Sequence, residues 1–260
     1  MTDAIRLALG TLTAIRVPAP RVVDRRTAGR AMLLAPLVGL LLGLIAEAAA
    51  LSVRWLVPGI SDRLLVAVVA VGVLAVLTRG LHLDGLADTA DGFGSGRRGA
   101  EALSVMRRSD VGPFGVVTLV LVLLLEVAAL DVALLRGRGT VALVGGVVVS
   151  RLAITWAARR SVPAASSEGL GAAVASTVRP LPLVLVSLAV MGFLVALGLW
   201  EDDVASSFVG HVLVAAALAI LASQLLVSRA VSRFGGVTGD VLGAAAETAF
   251  LVFVLAVSVR

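Results

Sequence analysis

Asp84, Asp88 and Asp91 stand at i, i+4 and i+7 in the stretch RGLHLDGLADTADGFGSGRRGAEALSVMRRSDVGPFG, residues 79–115. At about 100° per residue on a helix, these carboxylates share an arc of roughly 60°. A carboxylate at a helix start can simply offset the macrodipole, which would account for Asp84 alone. Three on one face repel one another, and here they are interleaved with Leu86, Ala87 and Ala90, with no cation before Arg97. The chain has neither Cys nor Lys, so a hard divalent cation is the natural counter-charge. Carboxylate-only donors suit Mg²⁺ or Mn²⁺, which commonly arrive together with substrate phosphates. Asp110, just ahead of Gly112-Pro113-Phe114-Gly115, adds a fourth carboxylate at the mouth of the next apolar run.

Other groups could act with them. His82 precedes Asp84 by two residues; it is either a hydrogen-bonded packing residue or a group that orients a carboxylate or relays a proton. Arg107 and Arg108 follow a helical run, Ala100–Met106, and can serve both as an inside-positive signal and as bidentate phosphate ligands. In the stretch 233–247, RFGGVTGDVLGAAAE, Asp240 and Glu247 are seven apart and share a helix face. Glu247 is predicted about two turns inside the last membrane span, where an ionisable residue that is not wet marks a functional site. Glu47 and Glu126 raise the same question without a second carboxylate beside them, and His211 reads as structural. Gly92-Phe93-Gly94-Ser95-Gly96 lacks the Gly-Lys-Ser/Thr that ends a P-loop and reads as a flexible linker.

The elements that must position these groups are membrane helices. Of 260 residues 59% are hydrophobic and only 15% charged, with a mean hydropathy of +1.06; a soluble domain is nearer a quarter charged. All 22 basic residues are Arg and the net charge is +5. They are scattered between apolar runs with few aromatics, which points to membrane topology and away from nucleic acid. Lack of Cys excludes disulfides, thiolate zinc sites and thiol nucleophiles. The predicted fold is all-α: one membrane-embedded domain over 1–260, a polytopic bundle of about seven spans at 31–53, 63–79, 112–130, 140–158, 181–200, 208–228 and 241–259. Arg6, Arg16, Arg21, Arg25, Arg26 and Arg30 precede the first span, and no signal peptide is read there, so the N-terminus is expected in the cytoplasm. Val17-Pro18-Ala19-Pro20 breaks any helix in this region. The outer segments then hold Arg54, Arg136, Arg138, Arg260 and the acidic run Glu201-Asp202-Asp203, and the Asp-rich interval 80–111 faces the cytoplasm.

The blocks HLDGLADTADGF, ALSVMRRSDVGPFG and FGGVTGDVLGAAAE, in that order, resemble the cobalamin synthase family, the adenosylcobinamide-GDP ribazoletransferases. Ala35-Pro36-Leu37-Val38-Gly39 and Gly169-Leu170-Gly171-Ala172 agree, and the resemblance covers nearly the whole chain. It departs from the family pattern at Arg108-Ser109-Asp110, where many relatives have Asp-Ser-basic. It departs again at Ser166-Ser167-Glu168, where a basic residue is common.

The resemblance implies a multi-pass enzyme of the bacterial cytoplasmic membrane that joins α-ribazole, or its 5′-phosphate, to adenosylcobinamide-GDP and releases GMP with Mg²⁺ (or Mn²⁺). Its partners would be those two substrates and the lipid bilayer, and a homo-oligomer is compatible with it. On this reading His82, Asp84, Asp88 and Asp91 are catalytic, and Asp84, Asp88, Asp91 and Asp110 hold metal. Arg107, Arg108, Thr238, Asp240 and Glu247 bind substrate and phosphate. A carboxylate, Asp91 in the first instance, or His82 acts as general base. The D-G-x-x-A arrangement is also similar to the CDP-alcohol phosphotransferases, but Asp88 stands where their motif has Arg. A cation transporter using Glu47, Glu126 and Glu247 would bunch its carboxylates near the bilayer midplane, whereas most here lie toward one surface.

Overall fold

The structure is a computed structural model that describes residues 1–56, 63–108, 110–201 and 206–259; Ser109, Asp202, Asp203 and Arg260 lie outside them. Among the described residues the chain is helical, with two isolated β-bridges and no strand. The helices are α1 (Thr2–Leu12), α2 (Arg25–Leu33), α3 (Ala35–Leu56), α4 (Arg63–Leu77), α5 (Leu81–Gly94), α6 (Gly99–Met106), α7 (Pro113–Leu135), α8 (Gly146–Ala157), α9 (Gly169–Val174), α10 (Pro180–Glu201), α11 (Ser206–Phe234) and α12 (Gly239–Ser258). A π-helical turn, Val141–Gly145, leads into α8.

Five stretches are long and apolar enough to cross a bilayer: Ala35–Val53, α7, α10, Phe208–Phe234 and α12. Helices suit that role because each satisfies its own backbone polar groups where no water can. Leu41 and Leu44 of α3, Leu121 and Leu124 of α7, Leu185 and Leu188 of α10, and Leu221 and Leu225 of α11 are exposed. Such a belt of large apolar side chains is stable only against lipid.

The remaining two expected spans take other forms. α4 and α5 meet at 87° and count at most as one broken crossing, a sixth. The turn between them puts Arg79 at φ 53° and Gly80 at φ 67°, and glycine takes that left-handed conformation without penalty. The apolar run expected at 140–158 is a shorter helix, Val141–Ala157, buried at every position but Trp156. A helix apolar all round belongs inside a bundle.

α12 is the central helix: 67% of its most apolar window is buried, against 22–39% in the other four spans. Small residues let α5 reach it. A Cβ on Gly85 would lie 2.6 Å from the Asp240 carbonyl oxygen, and one on Gly243 would lie 3.1 Å from the His82 Cα. The two backbones are therefore in direct contact where the acidic residues sit. Phe93, near the end of α5, stacks on Phe234 at the end of α11, ring centroids 4.8 Å apart. The expected flexible linker at 92–96 is instead largely packed helix: a Cβ on Gly92 would meet Met106, and one on Gly94 would run into the Phe114 ring. At the opposite end of the bundle Glu201 accepts from the Thr140 and Val141 amides at 2.8 and 2.9 Å, capping the helix that leads into α8.

Candidate functional site

A cavity of about 620 Å³ opens where α1, α2, α5, α6, α9 and α12 converge. Leu12, Met32, Leu103, Ile154 and Leu242 supply apolar wall; His82, Asp84, Arg107, Ser166, Glu168, Thr238 and Asp240 supply polar groups. The size and mix are those of a small-molecule site.

Helix starts fix the acidic groups. Asp84 stands in the first turn of α5 and Asp240 in the first turn of α12. There carboxylates are favoured by the helix dipole. Thr238 is the N-cap of α12: its hydroxyl oxygen accepts from the Val241 amide at 3.2 Å, and the hydroxyl donates to Asp240 Oδ2 at 3.1 Å. Asp240 feels the charges of both Asp84 and Arg107. Asp88, one turn along α5, is pushed up to about 7 by burial and by the charges of Asp84, Asp240 and Asp91. Burial and neighbouring like charges both disfavour the ionised form. His82 is buried, and its ring lies beside the Arg151 guanidinium.

The sequence-predicted residues divide between three places. His82, Asp84, Arg107, Thr238 and Asp240 line the cavity, with Asp88 beside them. Asp91 is elsewhere: its Oδ2 accepts from the Gly112 amide at 2.7 Å and its Oδ1 from the Gly115 amide at 2.9 Å. These N–H groups begin α7, where the first turn has no internal acceptors, so Asp91 is a helix cap that accepts one amide on each oxygen. It thus has a structural partner at the start of α7 in addition to the metal-binding and general-base roles expected of it. Arg108 and Asp110 join Asp91 around a separate cavity of about 250 Å³; Asp110 is therefore not a fourth member of the Asp84 group, and the adjacent arginines 107 and 108 face different cavities. Glu247 is off the main cavity too, inside α12, next to Glu126 and Arg151. Glu47 is distant from both and accepts from the Thr140 hydroxyl near Glu201, so the three glutamates form no common path.

Arg151 was not legible as a site residue, although one arginine inside the apolar run VGGVVVSRLAITWAA is a signal of the kind that marks membrane-embedded function. It is 5% exposed and lies beside His82.

Among the described residues no three His, Asp or Glu side chains form a ready-made metal cage. The donors at hand still suit Mg²⁺: Asp84, Asp240 and Asp88 are all-oxygen and mutually repelling. This ion characteristically takes one or two carboxylates and completes its shell with water and phosphate.

Fold and site together define a polytopic helical membrane protein with an acidic, small-molecule cavity at one end of its bundle. The sequence profile of the family described as cobalamin-5-phosphate synthase matches residues 4–258. An adenosylcobinamide-GDP ribazoletransferase of Frankia casuarinae is 45% identical over 93% of this chain and 89% of its own length. One of a Nocardioides species is 44% identical over the full length of both, and one of Pseudomonas aeruginosa 37% identical over 95% of both. The chain belongs to the cobalamin-5-phosphate synthase family. No solved structure matches it.

Proposed function

We propose that this chain is an adenosylcobinamide-GDP ribazoletransferase. It transfers the cobinamide-bearing phosphoryl group of adenosylcobinamide-GDP to a ribose hydroxyl of α-ribazole, or of its 5′-phosphate, and releases GMP. The observation that carries this reading is the meeting of Asp84 on α5, Asp240 on α12 and Arg107 at the end of α6 around one cavity, in a chain whose full-length relatives bear that name.

Phosphoryl transfer needs positioning and charge neutralisation more than covalent help from the protein. Arg107 binds phosphate oxygens of the diphosphate through its planar fork. Thr238 holds Asp240 in place, and the direct α5–α12 contact sets Asp84 opposite it. Asp84, Asp240 and Asp88 would hold Mg²⁺, which when bound neutralises charge on the phosphate oxygens. The hydroxyl proton of the attacking ribose passes to a carboxylate of this cluster. The apolar wall formed by Leu12, Met32 and Ile154 excludes water from the reacting phosphorus.

The enzyme lies in the bacterial cytoplasmic membrane with the cavity on the cytoplasmic side. The arginine-rich N-terminal segment supports this orientation, since Thr11 and Leu12 line the same cavity and positive residues favour the inside.

The test supplies adenosylcobinamide-GDP, α-ribazole and Mg²⁺ to the detergent-purified protein and measures GMP. Wild type should turn over, and Asp84→Asn and Asp240→Asn should each lose about 10²–10³-fold in kcat, the range for removing one preorganised electrostatic group. Removal of Mg²⁺ with a chelator should abolish GMP release, and Mn²⁺ should restore it in part. Absence of GMP from folded wild type, or full activity in Asp84→Asn, would overturn the reading.

A further inference from the structure

The interior of the bundle holds a charged group that the proposed chemistry does not use. Arg151, midway along α8, donates from Nη1 to the Ser150 hydroxyl at 2.6 Å, and its Nη2 lies 3.4 Å from His82 Nδ1. Among the described residues its Nε has no hydrogen-bond partner. Glu247 of α12 and Glu126 of α7 line the same small cavity as Arg151, and the Glu247 charge acts on the guanidinium. From α3, Gly39 closes over the stem: a Cβ there would come 2.8 Å from Arg151 Cγ. Residues of α3, α4, α5, α7 and α12 thus surround the Arg151 side chain, and its one contact toward the main cavity is His82.

A guanidinium can only donate hydrogen bonds. His82 Nδ1 must therefore be the acceptor, which places the ring proton on Nε2. The ring lines the main cavity, and Nε2 has no protein partner among the described residues. We infer that Arg151 is a positioning residue: bonded to the Ser150 hydroxyl and set on the same small cavity as Glu247, it fixes His82 as an Nε2–H donor at the cavity wall, ready for a phosphate or leaving-group oxygen of the substrate. Lysine would supply the charge without the fork that reaches Ser150 and His82 together. This inference rests on the transferase reading for its substrate, but not for the tautomer.

The chain's two histidines, His82 and His211, make ¹⁵N-histidine NMR of the detergent-solubilised protein interpretable, with His211→Asn giving the assignment. Wild type should show the Nε2–H tautomer at His82, and Arg151→Lys a mixture. In the GMP assay Arg151→Lys should lower kcat about 10–100-fold, as loss of an orienting partner typically does, with KM little changed. Adding it to His82→Gln should cause no further loss, since the two act as one unit. Arg151→Met with Glu247→Gln removes charge from both sides; it should melt near wild type yet remain slow. An unchanged tautomer in Arg151→Lys, additive losses with His82→Gln, or wild-type turnover in the charge-free pair would each overturn the inference. Wild type that shows the tautomer but releases no GMP would instead overturn the transferase reading.

Discussion

Asp91 and Asp88 lie three residues apart on α5 and should respond oppositely to removal of charge. Asp91 satisfies two amides at the start of α7, so Asp91→Ala should destabilise the protein by about 1–2 kcal/mol, the upper range for losing a helix cap, seen as a lower melting temperature. Asp88 is held near 7 in the folded state against an ordinary value of 3.8. A carboxyl raised by folding favours the native state while protonated. Stability is therefore lost as pH rises from about 4 to about 7 and stays lost above. Asp88→Asn escapes that loss: at pH 8 without divalent cation it should melt higher than wild type, while GMP release falls. The reverse order of melting temperatures would remove Asp88 from the repelling cluster. The i, i+4, i+7 spacing made an acidic face legible. It could not show that the third member would turn to the N-terminus of another helix, because that depends on where residues 112–115 return in space.

At the scale of elements, the site exists because α5 and α12 touch backbone to backbone. Gly85→Ala places a methyl 2.6 Å from the Asp240 carbonyl, a main-chain atom that cannot step aside as a side chain can. The helices must separate, at about 1–3 kcal/mol by analogy with overpacked cores, and Asp84 moves away from Asp240. Gly85→Ala should thus lower both the melting temperature and kcat, whereas Gly192→Ala, with open space around it on α10, should alter neither. Hydropathy identified the helices well, since long apolar runs have few other solutions in lipid. It was less informative about direction and neighbours: the 87° bend after α4 is set by local backbone at Arg79 and Gly80. Burial of the helix Val141–Ala157 on all sides leaves the same apolar signature as exposure to lipid.

For the whole molecule, the inside-positive argument predicts a cytoplasmic cavity end. The chain lacks Cys, so single cysteines report orientation without background. Ser167→Cys, exposed beside the cavity residues Ser166 and Glu168, should react with a membrane-impermeant maleimide only after the cytoplasmic face is opened. Arg136→Cys, exposed at the far end of α7, should react in intact spheroplasts. The opposite pattern would invert the topology.

α11 runs for 29 residues, or about 43 Å at 1.5 Å per residue, against a hydrocarbon layer of about 30 Å. A helix longer than its bilayer tilts, and the tilt changes with acyl-chain length. Its last residue, Phe234, is the ring on which Phe93 of α5 stacks. Thin and thick membranes should therefore hold the acidic helix at different angles, and reconstitution in a series of phosphatidylcholines of increasing chain length should give a turnover optimum.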